Sequence, residues 1–244
     1  MQYESSNYQS LIGIKGFEGT SLIDFPGRIC SIIFIGGCNF RCPFCQNPEL
    51  VDPKTLKMTP SLSDDEVIEK LQKRKKFIDG VAFTGGEPLV YPKLKDLIRR
   101  IKHDLGLAVK LDTNGYMPDK LQDMLENGLL DYVAMDVKAA PKDYPKAVGL
   151  NKFDIGKIKE SIRLIMELAP EYEFRTTAVP TIVNVESMHG IGQLVKGAKL
   201  HAIQHFRPIK TLSPEYQKIH PYPDSVLEEM ALVMQKYVEK IEIR

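Results

Sequence analysis

Three of the four cysteines in this 244-residue chain, Cys38, Cys42 and Cys45, fall in one short segment, CNFRCPFCQN, with C-x3-C-x2-C spacing. Thiolates are the usual protein ligands of iron–sulfur clusters, and a [4Fe–4S] cube ordinarily takes four of them. Three from one loop would hold three irons and leave the fourth open to a small ligand. Zinc is the competing reading. A closed zinc site wants four ligands, commonly as two separated pairs, and neither a second C-x2-C nor a nearby histidine pair is present. Cys30, inside the apolar run Arg28–Ile35, reads as a small core residue. So few cysteines in a chain this long do not make a disulfide framework.

Other chemistry-bearing residues recur at intervals. Thr84-Gly85-Gly86-Glu87-Pro88 follows the run VAF, and two glycines there would let the backbone approach a ligand closely. The bland alternative is an ordinary strand-to-helix turn. Asp112-Thr113-Asn114-Gly115 follows LAVKL and is also a good turn former. Asp136-Val137-Lys138 follows YVAM; an aspartate there can accept hydrogen bonds from hydroxyls and a lysine can pair with a carboxylate, the alternative being a surface ion pair. Arg175 sits in EFRTTAVP, and His189 comes after it. His201 and His205 read as structural. The basic run Lys73-Arg74-Lys75-Lys76 suits a solvated helix C-terminus.

These residues need elements to position them. Arg28–Ile35 is a strand, ending at Gly36-Gly37 and the cysteines. Val81–Thr84, Leu107–Leu111, Tyr132–Val137, Glu173–Val179 and His201–Phe206 read as further strands. Between them apolar residues take helical spacing: Leu62, Val67, Ile68 and Leu71; Leu94, Leu97, Ile98 and Ile101; Leu121, Met124 and Leu125; Ile155, Ile158, Ile162 and Ile165; then Glu186–Val195. Ser225–Lys240 predicts a closing helix. Alternation with short connections implies parallel strands and right-handed crossovers. About six units are too few for a closed eight-fold barrel, so the fold class is α/β, an open partial (βα)6 barrel. Ligands then collect at the carboxyl ends of the strands, where the unusual residues lie. One domain spans 1–244, with a polar tail at 1–10, an extension at 11–27 and the core from about 28 to 244.

Composition narrows the function. Thirty-three basic against 32 acidic residues leave a net charge of +1, so no global field favours nucleic acid or a membrane surface. No apolar stretch is long enough to span a membrane and the first residues do not resemble a signal peptide, so the expected location is cytoplasmic.

The cysteine spacing after the first strand of a partial α/β barrel resembles the radical S-adenosylmethionine (SAM) superfamily. That resemblance implies one [4Fe–4S] cluster on Cys38, Cys42 and Cys45, with SAM chelating the open iron and being cleaved reductively to methionine and a 5′-deoxyadenosyl radical. It carries Gly85, Gly86 and Glu87 over as the segment holding the methionyl amino group. Asp136 and Lys138, with Asp112, Asn114 and Phe44, become SAM contacts; Gln46 lies near the adenine and His189 near the methionine moiety. No catalytic residue is implied beyond the cluster and SAM. With Cys30 alone to spare, an auxiliary iron–sulfur domain is not expected.

More closely, GFEGTSLIDFPG, CNFRCPFCQN, TGGEPL, DTNG, MDVK and FRTTAVP together resemble the anaerobic ribonucleoside-triphosphate reductase activating proteins, near the pyruvate formate-lyase activating enzyme. The likeness runs over residues 11–210. It implies abstraction of a glycine Cα hydrogen from a glycyl radical enzyme, and a flavodoxin- or ferredoxin-type electron donor. The alternative is a small-molecule enzyme such as 7-carboxy-7-deazaguanine synthase, or one modifying peptide or RNA. In the deazaguanine family the cysteines are usually followed by Asp-Thr serving magnesium, where this chain has Gln46-Asn47. Activases often carry histidine at position 46.

Overall fold

The computed structural model describes residues 6–244; the first five residues of the polar tail lie outside the described residues. One sheet of eight strands runs in chain order: β1 (Gly13–Ser21), β2 (Cys30–Gly36), β3 (Gly80–Gly85), β4 (Ala108–Thr113), β5 (Tyr132–Asp136), β6 (Glu171–Ala178), β7 (Leu200–His205) and β8 (Lys240–Ile243). β1 is antiparallel to β2, and every later pair is parallel. β1 and β8 do not meet, so the sheet is not closed. Helices follow each strand from β2 to β7, giving the six βα units the sequence implies: α2 (Pro53–Met58) and α3 (Asp64–Arg74), α4 (Leu94–Arg100), α5 (Pro118–Glu126), α6 (Tyr144–Val148) and α7 (Ile155–Leu168), α8 (Ser187–Leu194) and α9 (Asp224–Met234). A short α1 (Ser6–Gln9) precedes β1.

Local chemistry places the boundaries. Ser63 caps α3 with a full capping box: its hydroxyl accepts from the Glu66 amide while the Glu66 carboxylate takes the Ser63 amide. Gly106 ends the helical segment after α4 in the left-handed conformation, with φ of 69°. Two expectations need correcting. The closing helix stops at Met234, and Lys240–Ile243, where Ile241 and Ile243 alternate with charge, is a strand instead. The extension at 11–27 is mostly β1, a strand its glycines disguise, kept in the sheet by register shifts opposite β2.

Strand alternation gives the concave face two characters. At the N-terminal end it carries Cys30, Ile32, Ala82, Tyr132 and Ala134, closed from below by Phe25 of the β1–β2 loop. Further along, the same parity presents Asp112, Asp136, Arg175 and Thr177, while Lys110 and Glu173 stand level with Ala82, Tyr132 and Ala134. An apolar floor therefore lies beneath a polar ceiling. Slipping any strand by one residue would exchange both with the helix-packed face.

On that opposite face His201 is completely buried, its Nε2 3.1 Å from the Thr176 hydroxyl. Burial drives its pKa down to about 3, against about 6.5 in an unfolded chain. Between those values the unfolded state binds the extra proton, so stability is present above pH 6.5 and declines as pH falls. At pH 5 this amounts to a loss of about 2 kcal/mol. Urea midpoints measured from pH 7 to 5 should fall accordingly, and His201→Gln should flatten that part of the profile.

Candidate functional site

The three cysteines occupy the loop leaving β2, where Gly37 takes a φ of 103°. This loop borrows hydrogen bonds from distant segments. The Tyr8 hydroxyl accepts the Cys38 amide at 3.0 Å, and the Arg41 guanidinium donates to the carbonyls of Cys38 and Phe40 at 2.8 and 2.6 Å. Arg41 also lies 5.0 Å from the Tyr8 ring centroid, within cation–π range. The Arg41 amide reaches Val148, and the amides of Leu212 and Ser213 reach the carbonyls of Cys45 and Pro43. Phe40 packs on Tyr116 and Phe153, and Phe153 stacks on Tyr144.

The glycines after β3 serve the same loop. A Cβ on Gly85 would stand 2.5 Å from the Ile35 carbonyl, and one on Gly86 2.1 Å from that of Gly37. The close approach they permit is thus to the chain's own backbone. The Gly86 amide donates to Ile35, the Glu87 amide to Gly37, and the Asn47 side chain to the Gly85 carbonyl.

Glu87 turns inward and is fully buried. Its carboxylate accepts from the Leu89 amide (3.1 Å), the Thr113 hydroxyl (2.8 Å) and the Asn114 amide (2.7 Å), tying the β3 and β4 loops together. Burial raises its pKa to about 7 against these three donors. Asn114 passes the constraint on: its amide donates to the Asn39 side chain at 2.7 Å and lies 3.9 Å from the Cys38 sulfur. The Phe40 amide points at the same sulfur, 3.3 Å away.

The ends of β4, β5 and β6 form a half-buried charge network. Arg175 Nε is 2.9 Å from Asp136 and its Nη1 3.4 Å from Asp112. Lys138 pairs with Asp136 at 3.1 Å, and Lys110 pairs with Asp112. Burial alone would raise the Asp136 pKa, but Arg175 and then Lys138 outweigh it and hold it at about 2. Asp112 is held below its usual value by Arg175 and Lys110 against the same burial. Asp136 drives Lys138 upward despite burial, so these groups keep their charges.

One cavity of about 400 Å³ gathers Cys38, Cys42, Cys45, Phe44, Gln46, Gly85, Gly86, Asp112, Asn114, Asp136 and Lys138. Glu87 stands behind its wall, holding two of the loops that form it. The structure does not bring His189 to this group: on α8 its Nδ1 lies 3.0 Å from the Tyr237 hydroxyl, and the ring is exposed. Asn47, Thr177, Gln204 and Asp24 also border the cavity and were not singled out from the sequence, and Arg175 proves central to it. A mid-strand arginine followed by two threonines was the available signal. Tyr8, assigned to a polar tail, had none.

The donor set can be tested for what it suits. Burial pushes all three thiols up, Cys42 to about 12, so a bound metal must displace their protons. Among the described residues no three His, Cys, Asp or Glu close on a point that would hold one metal ion, as a zinc site requires. The three thiols instead border one cavity of about 400 Å³, which has room for a multi-iron cube.

Comparison with known families agrees. The model of the radical SAM superfamily matches residues 32–196, which include the cysteine loop, the Gly85–Glu87 loop and the β4 to β6 ends. The chain belongs to the radical SAM superfamily. As a radical SAM enzyme it uses a [4Fe–4S] cluster and SAM. A Methanocaldococcus jannaschii protein provisionally named a glycyl-radical enzyme activating enzyme is 31% identical over 235 residues, 95% of either chain. The pyruvate formate-lyase-activating enzyme of Clostridium pasteurianum is 27% identical over 237 residues, 93% of this chain and 95% of that one. Among solved structures, Streptococcus suis SuiB bound to S-adenosylmethionine superposes with a TM-score of 0.62 at 12% identity; the match covers 85% of this radical SAM chain but only 47% of SuiB.

Glu87 offers a direct check on how the site is built. Glu87→Gln would turn an amide toward the N–H groups of Leu89 or Asn114, leaving a buried donor unpaired at about 1–3 kcal/mol. Thermal unfolding should register that loss, and SAM affinity should fall with it.

Proposed function

We propose that this radical SAM enzyme activates a glycyl radical enzyme. Cys38, Cys42 and Cys45 hold the cluster. Gly85 and Gly86 face the methionyl amino group, Lys138 the carboxylate, Asp136 the ribose, and Phe44 and Gln46 the adenine; Asp112 and Asn114 complete the wall. When bound, the cluster and SAM together supply a 5′-deoxyadenosyl radical. The protein orients it: the carboxylates of Asp112 and Asp136 are held ionised by Arg175, Lys110 and Lys138. Transfer of a glycine Cα hydrogen to that radical breaks one C–H bond and forms another, yielding 5′-deoxyadenosine and a glycyl radical.

The observation that carries this reading is the unclosed edge of the sheet. Beside the cluster cavity a second chamber opens between the β1–β2 loop and the strands β6 to β8, where a polypeptide loop would enter. Likeness over nearly the whole chain to two proteins named as activating enzymes supports it. Against the deazaguanine alternative, Gln46 and Asn47 stand where that family has its magnesium-serving Asp-Thr pair, and the Asn47 side chain donates to the Gly85 carbonyl.

An electron donor of flavodoxin or ferredoxin type has to reach the cluster end of the sheet. The basic run Lys73–Lys76 ends α3 and leads into the start of β3. It therefore lies a strand length away, on the order of 20 Å, and is a solvated helix end.

Anaerobically reconstituted protein with dithionite and SAM should form 5′-deoxyadenosine. With an anaerobic ribonucleotide reductase or pyruvate formate-lyase added, a glycyl radical doublet should appear by EPR. Cys42→Ala should abolish both and lower the bound iron. Turnover of SAM without a radical on any glycyl radical enzyme would point to the small-molecule alternative.

A further inference from the structure

The amides of the cysteine loop divide between oxygen and sulfur. Those of Gly37, Arg41 and Cys45 donate to the carbonyls of Leu50, Val148 and Cys42. The Phe40 amide is aimed instead at the Cys38 sulfur, 3.3 Å away, and the Asn47 amide acts on the Cys45 thiol. The amide of Cys38, the first ligand, goes to neither a carbonyl nor a sulfur. It donates at 3.0 Å to the Tyr8 hydroxyl, whose own proton faces the carbonyls of Cys38 and Val51, each 3.3 Å away.

Tyr8 is buried, yet it takes no part in lining the cluster cavity. Its ring is held by the Arg41 guanidinium, 5.0 Å from the centroid, which also donates to the Cys38 carbonyl at 2.8 Å. On the other side of the Cys38 Cα, the Gly37 carbonyl accepts the Glu87 amide. The Tyr8 hydroxyl touches both of these peptide planes, so it helps to fix the direction in which the Cys38 side chain leaves the backbone.

Hydrogen bonds to the sulfurs of an iron–sulfur cluster help to set its potential. An amide donor favours the reduced state, because that state carries the extra negative charge. Breaking a sulfonium C–S bond with one electron calls for the opposite, a strongly reducing cluster. We propose that Tyr8 is a positioning residue that keeps the cluster potential low, by holding the Cys38 amide on its hydroxyl and away from sulfur. This holds whichever substrate the radical goes on to attack.

The test compares reconstituted Tyr8→Phe with Ile12→Ala. The first removes only the hydroxyl; the second loosens the same N-terminal segment where Ile12 lies against Gly37, without touching a hydrogen bond of Cys38. Redox titration of the cluster, followed by EPR, should show a higher midpoint potential in Tyr8→Phe and the wild-type value in Ile12→Ala. At the wild-type midpoint, the ratio of reduced to oxidised cluster should rise about fivefold in Tyr8→Phe, the worth of one hydrogen bond. Replacing Tyr8 by 3-fluorotyrosine, which keeps the hydroxyl but weakens it as an acceptor, should give an intermediate potential even if Tyr8→Phe holds no cluster. An unshifted potential in Tyr8→Phe or in the fluorinated protein, or an equal shift in Ile12→Ala, overturns the role of Tyr8 and leaves the radical SAM assignment standing.

Discussion

A loop that buries three thiols without forming helix or strand must find partners elsewhere for its backbone amides and carbonyls, since an unpaired buried group is costly. Most of the architecture around the site answers that demand. Tyr8 reaches the first cysteine from before the sheet begins, Leu50 holds Gly37, Val148 holds Arg41, and the segment at 212–213 closes on the last turn. These anchors span more than two hundred positions, so the cysteine loop acquires its shape only when the sheet has assembled around it.

The second organising feature is the use of one strand parity for two purposes. Because the floor and the charged ceiling lie on the same face, the ion pairs of the polar end share partners and are interdependent. Removing one member of such a group leaves a buried charge exposed to low dielectric, which costs far more than a surface pair is worth. Arg175, contacting carboxylates from two strands, locks the relative height of β4, β5 and β6 as well as the charge state of the cavity.

The parts of this molecule readable from its sequence are those where local pattern and chemistry coincide. The cysteine spacing, the glycines at the end of β3 and the acidic or amide residues after β4 and β5 could be placed because each closes an apolar run of strand length. What escaped had no local signature. Tyr8 looks like any tail aromatic until the chain folds back over Cys38. β1 is too rich in glycine to announce itself and exists through its pairing with β2. Glu87 could be assigned to a functional loop, yet its inward direction depends on donors from β3's own turn and from β4. His189, by contrast, was drawn in by family likeness alone, and the packing of its helix turns it toward Tyr237 instead.

The short terminal strand has a further meaning. A sheet that stays open leaves a row of unsatisfied amides and carbonyls along its last member, a template on which another chain could lay itself. β8 presents only four residues there, and Glu242 pairs with Lys240 and with Arg244 just past the strand. An incoming strand would have to lay its own side chains beside those charges. The charged border thus guards against edge-to-edge aggregation, allowing the barrel to remain unclosed on the side where its second chamber opens.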